Sequence, residues 1–346
     1  MIRKISLGGI AALGVAAALA AAAPARADDF FKGKQVTVII GYGVGGTYGL
    51  YAQILARHLP AHIAGQPTAI VQSMVGAGGI KATNYAYNVA AKDGTVWLMP
   101  PDSLVISNIL ERDKVKYAAD KFQFLGTVTQ SNAVVAVRAD KGVRTVDDAK
   151  KTEVIVGSTG TGSQTFQIPA LANAVLGTKF KIVMGYKGSL EVFQAMERKE
   201  VDATSVTWQA WSTSRAQWVK DGYVIPLLQV GVKKDPALPN VPMVIDLVKT
   251  PEDRQIVSFM SSLGPVGRSL AVPPGVPADR VTALRAAFDA TMKDPAFLDD
   301  MKKRKFSVTP LTGAELQTIV VDMMKVPDDV AASAKKRIMH SAGKAG

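Results

Sequence analysis

Residues 39–59 read IIGYGVGGTYGLYAQILARHL, and this stretch passes from an apolar run through a glycine-rich turn into a helical pattern. The run that leads into it, QVTVII at residues 35–40, is rich in the β-branched residues that favour strands. The four glycines from Gly41 to Gly46 permit backbone angles and close approaches that a side chain would forbid. We therefore expect a buried strand, a loop whose backbone can contact a ligand, and a helix that begins near Thr47.

The order of strand, turn and helix recurs along the chain. Further strand-like runs, most of them followed by glycine-rich turns, occupy residues 68–74, 95–100, 153–164, 180–189, 201–208 and 223–231. This alternation indicates an α/β fold with parallel sheets. The apolar, weakly punctuated stretch at 122–140 is expected to cross from one lobe to another, and from residue 264 onward the pattern predicts helices.

The first residues have the pattern of an export signal. Arg3 and Lys4 precede an apolar run that extends to Ala23, and small residues at Ala25 and Ala27 fit a cleavage site. We expect a signal peptide at residues 1–27, Sec-dependent export to the periplasm and a soluble mature protein. The sequence contains no cysteine, so the fold must rest on its hydrophobic core without disulfides.

The charge balance narrows the class of partner. The 346 residues include 41 Lys and Arg against 29 Asp and Glu, which gives a net charge of +12. A basic surface favours anionic partners. Because the basic residues are scattered among acids and do not interleave with aromatic residues, we do not expect nucleic acid to bind. The length suggests two domains.

The sequence GSTGTGSQT at residues 157–165 is a second glycine-rich turn between a strand-like run and a helical pattern. It combines glycines with hydroxyl side chains, and a helix is expected to begin near Ser163. Ser189 offers a third candidate helix cap. The N–H groups and the dipole of a helix N-terminus favour an anion. Because ligands bind beyond the carboxyl ends of parallel strands, these turns predict a hinged clamshell with the ligand between its lobes.

Motifs for nucleotides, metals and catalysis are missing from the sequence. Neither glycine-rich turn matches a phosphate-binding P-loop, and the second lacks the acidic residue of a dinucleotide site. His58 and His62 have helical metal-ligand spacing, but Pro60 lies between them and no ligand cluster accompanies them, which favours surface histidines. His340 is the remaining histidine, and no nucleophile elbow is present. We expect no enzyme activity, catalytic residue, cofactor or metal.

Two tryptophans leave two interpretations open. Trp208 and Trp211 are three residues apart and share one face of a helix that follows the strand at 201–208. They either cover an apolar or aromatic part of a ligand or pack in the core.

These motifs together resemble the Bug receptor family, the periplasmic substrate-binding proteins of tripartite tricarboxylate transporters. The stretches that match the family in order are residues 36–59, 76–99, 156–165, 186–203 and 233–244. The resemblance covers nearly all of the mature chain. It implies a two-lobed periplasmic binding protein, a type II-like clamshell in which each lobe is a sheet flanked by helices and the chain crosses between lobes. Residues 28–127 and 255–346 would form lobe 1, and residues 128–254 lobe 2.

The resemblance also implies that backbone N–H groups and hydroxyls of both turns hold a carboxylate. The corresponding ligand-binding residues of the first lobe are Tyr42, Gly43, Val44, Gly45, Gly46, Thr47 and Ser103. Those of the second lobe are Ser158, Thr159, Thr161, Gly162, Ser163, Gln164, Tyr186 and Lys187.

This chain departs from the family where many members carry acids. Tyr48 or Gly49 follows the first turn, and Val206 stands at the second acidic position, so we expect a ligand with an amine to lack a partner. The residues offered there instead are Thr204, Ser205, Thr207 and Trp208. They favour a carboxylate with a neutral or aromatic remainder. A dicarboxylate whose far end pairs with Lys187 or Arg215 stays open.

The function expected from this pattern is that of a monomeric, non-enzymatic receptor. It would capture a small organic carboxylate and deliver it to a membrane permease. One alternative is a secreted hydrolase or phosphate-ester enzyme that uses the second turn as an anion cradle. A receptor for inorganic or phosphonate anions fits the turns equally well.

Overall fold

The computed structural model describes residues 30–341, so the expected signal peptide lies outside the described residues. The strands are β1 (Gln35–Ile40), β2 (Thr68–Ser73), β3 (Val96–Met99), β4 (Gln123–Thr127), β5 (Ala133–Arg138), β6 (Val154–Ser158), β7 (Phe180–Met184), β8 (Ala203–Thr207), β9 (Val224–Val230), β10 (Ser269–Val272) and β11 (Leu311–Thr312).

The helices alternate with these strands in the first two thirds of the chain and dominate the last third. They are α1 (Thr47–His58), α2 (Ile80–Asn88), α3 (Leu104–Leu110), α4 (Val146–Lys151), α5 (Gln164–Leu176), α6 (Ser189–Glu197), α7 (Trp208–Ser214), α8 (Ala216–Lys220), α9 (Val244–Leu247), α10 (Pro251–Met260), α11 (Ala278–Thr291), α12 (Pro295–Lys303), α13 (Gly313–Met323) and α14 (Asp328–Ser341). None of the helices within residues 30–341 has the length and apolar character needed to cross a membrane.

The first sheet has the strand order β11-β4-β10-β3-β1-β2. Strand β1 pairs in parallel with β2 and β3, and both of its faces are covered. Val36, Val38 and Ile40 pack in one hydrophobic cluster, whereas Ile39 packs in another on the opposite face. Burial on both faces explains why the second half of the strand, residues 38–40, is continuously apolar. The glycine-rich turn of residues 41–46 begins at the carboxyl end of this buried strand.

The second sheet has the order β7-β6-β8-β5-β9. Strand β6 is parallel to β7 and β8, so the turn that follows β6 also lies at a carboxyl edge. The predicted crossover at residues 122–140 supplies β4 to the first sheet and β5 to the second. The fold is therefore an α/β arrangement of two sheets flanked by helices, as the sequence predicts.

Two sequence expectations differ from the structure. The sheets are mixed rather than parallel, because β5 pairs antiparallel with β8 and β9, and β10 with β3 and β4. The prediction of helices from residue 264 onward was also wrong, since Ser269–Val272 forms β10 inside the first sheet. A run of four residues before Pro273 is too short to show a period. It becomes a strand through pairing with distant neighbours.

The last helix, α14, contacts elements from both parts of the chain. It packs against α5 and α10 and also against α3. The Arg337 guanidinium donates to the Ala174 carbonyl at 2.9 Å and to the Asp253 carboxylate at 2.6 Å. One hydrophobic cluster likewise runs from the first sheet into the second. The lobe limits inferred from the sequence stay a prediction.

Candidate functional site

The glycine-rich turns of the two lobes contact each other through their backbones. The amide of Gly43, after β1, donates to the carbonyl of Lys187, after β7, at 2.9 Å. The amide of Gly78, after β2, donates to the carbonyl of Thr159, after β6, at 3.2 Å. The lobes are therefore closed on each other at the carboxyl ends of their parallel strands.

Glycine is required where these turns approach most closely. A Cβ on Gly162 would lie 2.5 Å from Cγ1 of Ile80 and 2.6 Å from the carbonyl oxygen of Ala77, both in the first lobe. A Cβ on Gly78, whose φ is +65°, would lie 2.7 Å from backbone atoms of the second turn. The Ser103 hydroxyl also donates to the Gly162 carbonyl at 2.6 Å. The two turns can approach this closely only because Gly78 and Gly162 have no side chains.

A small cavity of about 30 Å³ lies between the lobes beside these contacts. The N-termini of α1, α5 and α6 reach it at Thr47, Gln164 and Ser189, and helix N-termini favour an anion. Gly46 and Gly188 occupy the N-cap positions of α1 and α6, rather than the expected Thr47 and Ser189. The cavity is lined by Tyr42, Gly43, Gly46, Thr47, Tyr48, Asp102, Thr159, Ser163, Gln164, Thr165, Ser189, Val206 and Arg268.

Arg268 brings a buried guanidinium group to this cavity. The residue precedes β10 and is only 4% exposed. Its Nη1 donates to the Gly267 carbonyl at 3.0 Å, and its Nη2 donates to the hydroxyls of Thr47 at 3.2 Å and Thr207 at 3.3 Å. The guanidinium carbon lies 4.1 Å from the centre of the Tyr48 ring. These contacts hold the charge in one orientation between the lobes.

The charge of Arg268 has no ion-pair partner among the described acids. Its Nε is buried and makes no hydrogen bond within the described part of the chain. An arginine side chain is always protonated in proteins, and a buried charge without a counter-ion costs several kcal/mol. The site is therefore suited to an anion that enters the cavity.

Asp102 faces the same cavity from the end of β3. The residue is 3% exposed, its Oδ1 accepts from the Ser103 amide at 3.0 Å, and its own amide donates to the Tyr48 hydroxyl at 2.8 Å. Its Oδ2 is buried and has no partner within residues 30–341. Burial raises the pKa of Asp102 to about 6, against the opposing attraction of Arg268. At pH 7 the carboxylate is thus largely ionised.

Part of the ligand-binding set predicted from the sequence lines the cavity. These residues are Tyr42, Gly43, Gly46, Thr47, Thr159, Ser163 and Gln164. The cavity also contains residues that the predicted set did not include, namely Tyr48, Asp102, Thr165, Ser189, Val206 and Arg268. A single charged residue carries no periodic signal. The available hints were an acid two residues after the strand at 95–100 and an arginine directly before the short run at 269–272.

The other predicted residues lie outside the lining of the cavity. The side chains of Val44 and Lys187 are exposed, and Lys187 contributes its backbone carbonyl to the lobe contact. The hydroxyls of Ser158, Thr161 and Thr204 bond to other groups of the protein. Also outside the lining are Gly45, Ser103, Gly162, Tyr186, Ser205, Thr207 and Trp208. Of these, Thr207 still acts on the site through Arg268.

The tryptophans do not contact the cavity. Trp211 is fully buried, and its Nε1 donates to the Val134 carbonyl at 3.1 Å, so it belongs to the core. Trp208 is partly buried against the same hydrophobic cluster. The aromatic surfaces at the cavity come instead from Tyr42 and Tyr48, whose ring centres are 4.5 Å apart.

The two histidines of α1 and the turn after it contact acids at the start of α12 and within it. Nε2 of His58 lies 3.2 Å from the Asp300 carboxylate, and Nε2 of His62 lies 2.8 Å from that of Asp294. They are therefore partly buried contacts to α12 rather than the solvated surface residues expected. Within the described chain, no group of three or more His, Cys, Asp or Glu is placed to hold a metal ion.

Comparison with known proteins shows what this chain is similar to. Residues 53–332 match the family model described as "Tripartite tricarboxylate transporter family receptor". A Cupriavidus necator protein described as "UPF0065 protein in gbd 5'region" is 27% identical over 307 residues, covering 85% of this chain and 87% of that protein.

Solved structures share the fold at low sequence identity. The periplasmic binding protein BugD is 20% identical with a TM-score of 0.71, covering 88% of this chain and 97% of its own. A Rhodopseudomonas palustris protein with adipate is 19% identical with a TM-score of 0.68, and the match covers 87% of this chain and 97% of that protein. MatC of the same organism, with bound malate, is 19% identical with a TM-score of 0.67, and the match covers 86% of this chain and 99% of MatC. These likenesses show the two-lobe fold of periplasmic binding proteins.

Proposed function

This chain belongs to the tripartite tricarboxylate transporter receptor family, and we propose that it is a periplasmic receptor that captures a small organic carboxylate between its lobes and delivers it to a membrane permease. Such a receptor needs a charge complement for the ligand, contacts from both lobes and no chemical step. The family and the fold are those of solute-binding proteins.

The observation that carries the proposal is the position of Arg268 between the lobes. Its Nη2 donates to the hydroxyl of Thr47 at the start of α1 and to that of Thr207 at the end of β8. The charged group is therefore bound by one residue beside the first sheet and one residue of the second. A carboxylate bound to this guanidinium would make its best contacts when both lobes are in place. Ligand binding would then stabilise the closed state, because a ligand shifts a conformational equilibrium by its difference in affinity for the two states.

The size of the cavity bears on how the ligand is accommodated. The present volume of about 30 Å³ is far below the roughly 300–1,000 Å³ of pockets for drug-sized ligands. A carboxylate head group is small, but an acid of several carbons needs the lobes or side chains to move apart. The adipate and malate in the similar structures are acids of this size and support the carboxylate class.

The hydrolase alternative gains nothing from the cavity. Thr159, Ser163 and Thr165 place their hydroxyls close together there. A hydroxyl nucleophile needs an adjacent base, and His58 and His62 are engaged with acids of α12. Among the described residues that line the cavity, no feature favours turnover over binding.

Calorimetry with the exported, mature protein tests the proposal. Succinate, adipate, malate and benzoate are titrated beside succinamide and inorganic phosphate. We expect at least one carboxylate to bind, and neither the uncharged amide nor phosphate to compete with it. Binding of phosphate alone would favour the inorganic-anion receptor, and no binding by any carboxylic acid, with or without an ammonium group, would contradict the proposed function.

A further inference from the structure

Arg268 and Asp102 carry opposite charges at one cavity without forming an ion pair. The guanidinium Nε and the carboxylate Oδ2 are both buried, and neither has a partner among the described residues. Tyr48 lies between them, with its ring against the guanidinium and its hydroxyl accepting from the Asp102 amide. Buried polar atoms without partners are rare in folded proteins. Eight buried side-chain atoms of residues 30–341 lack a partner, and of these Arg268 Nε and Asp102 Oδ2 belong to oppositely charged side chains that line one cavity. A ligand that enters this cavity could supply both an acceptor and a donor.

We propose that the ligand is a small zwitterionic acid, with its carboxylate on Arg268 and its ammonium group on Asp102. This assignment rests on the proposed function and makes its ligand class narrower. It also changes the expectation from the sequence that an amine would lack a partner. The family's acidic positions are indeed occupied by other residues, but Asp102 brings a carboxylate to the cavity from the end of β3.

The charge balance of the cavity favours an ammonium group over a hydroxyl. Arg268 is the one cation and Asp102 the one acid among the described residues that line it. Burial raises the pKa of Asp102 despite Arg268, so that attraction does not fully offset the loss of water. A ligand carboxylate on Arg268 would neutralise the remaining attraction. An ammonium group on the ligand would restore the positive charge beside Asp102. A hydroxyl would donate a hydrogen bond to Asp102 but add no positive charge.

Apart from Arg268, the groups of the protein around Asp102 supply no positive charge to its carboxylate. The Tyr48 hydroxyl accepts from the Asp102 amide and can donate its own proton to the carboxyl group, but burial raises the pKa of Tyr42 and Tyr48 well above the usual range, so both phenols stay neutral and add no positive charge. The Ser103 amide bonds to Oδ1, not to Oδ2. The backbone of Gly267 packs against the Asp102 Cβ. None of these groups brings a positive charge to the Asp102 carboxylate, which leaves that role to the ligand.

Two matched ligand series test the assignment by calorimetry at pH 7. One compares succinate, malate and aspartate, and the other compares 3-phenylpropionate, 3-phenyllactate and phenylalanine. Within each series the acids differ by hydrogen, hydroxyl or ammonium beside a carboxylate. We expect the ammonium-bearing member of at least one series to bind about 10- to 100-fold tighter than the other two, the range for a charge-assisted hydrogen bond.

Proton uptake gives a second, independent measurement. Titrations in HEPES and in Tris, whose ionisation enthalpies differ, count the protons bound with the ligand. A plain acid should take up a proton, because Asp102 must become neutral beside a second carboxylate. The ammonium-bearing acid should take up none. The variant Asp102→Asn should weaken the ammonium-bearing acid about tenfold or more, and it should tighten the plain acid, because the carboxylate that repels that acid is removed.

The outcomes separate this inference from the proposed function. If plain or hydroxy acids bind as tightly as their ammonium-bearing matches, the zwitterion assignment is overturned while the receptor proposal stands. If no acid in either series binds, the proposed function fails and the assignment fails with it. Should Asp102→Asn not fold, the comparison within each series and the proton count on the natural protein still decide.

Discussion

The Arg268 guanidinium stacks on the Tyr48 ring, with 4.1 Å between the guanidinium carbon and the ring centre. A desolvated contact of this kind contributes on the order of 2 kcal/mol. It offsets part of the cost of burying the charge and holds the guanidinium plane against one wall of the cavity. The stacking therefore allows a cation to stay in place without an ion pair.

Replacing Arg268 should separate ligand affinity from stability. We expect Arg268→Met to weaken carboxylate binding roughly 30-fold or more, because a buried charged partner is lost. Its melting temperature should change little, since the removal of a buried charge without an ion pair offsets the lost contact with the Tyr48 ring. Calorimetry and thermal unfolding measure the two effects. Arg57→Gln is the matched control, because Arg57 is exposed and pairs with Asp300. A change in affinity below about threefold for Arg268→Met would argue against the carboxylate site.

Adding one methyl group at Gly162 should hinder closure of the lobes. Its Cβ would meet Ile80 at 2.5 Å across the interface, and Gly162 does not have a positive φ that would strain its own turn. Overpacking of about 1–3 kcal/mol in the closed state would lower affinity about 5- to 150-fold. Small-angle scattering of Gly162→Ala should show a larger radius of gyration with ligand present.

The control for this variant is Gly264→Ala. Gly264 has helical angles, and its Cβ would lie at an ordinary distance of 3.6 Å from the Ser131 carbonyl oxygen. Equal affinities for the two alanine variants would mean that the glycine contact at Gly162 does not govern closure.

The buried carboxyl of Asp102 should make stability depend on pH. Its pKa is raised from 3.8 to about 6, so the folded state binds more protons between these values and stability falls as pH rises through this window. The shift corresponds to roughly 3 kcal/mol. Without ligand, Asp102→Asn should therefore be more stable than the natural protein at pH 7.5 by up to about that amount, and similar to it near pH 4.

Urea unfolding at both pH values measures this difference. Asp113→Asn serves as the control, because the Asp113 side chain is 91% exposed. A stabilisation by Asp102→Asn that is equal at the two pH values would show that its charge is not the cause.

A second buried arginine should matter for stability but not for the ligand. Arg138 donates to the carbonyls of Met196 and Val201 and lies 3.6 Å from the Asp202 carboxylate. Arg138→Met leaves these groups without their donor and should lower the unfolding free energy by about 3–5 kcal/mol. Affinity of the folded protein should stay unchanged in calorimetry. A loss below about 1 kcal/mol would mean that Lys141 compensates for the missing charge on Asp202.

Local patterns predicted most of the strands and both glycine-rich turns. The run QVTVII became β1 at Gln35–Ile40, since β-branched residues between turn signals favour a strand wherever they are buried. The first turn was identified from its glycines because backbone freedom is a property of single residues. β10 was missed, as a four-residue run becomes a strand only when β3 and β4 pair with it.

The amino-acid order alone settles the alternation of strands and helices, the glycine turns and a fold without disulfides, because each depends on residue types within a short window. The chemistry of the cavity has a different origin. Asp102 and Arg268 are distant in the chain, and neither belongs to a pattern. Packing of the lobes buries them at one cavity without pairing them, and burial and charge environment arise from contacts between distant segments.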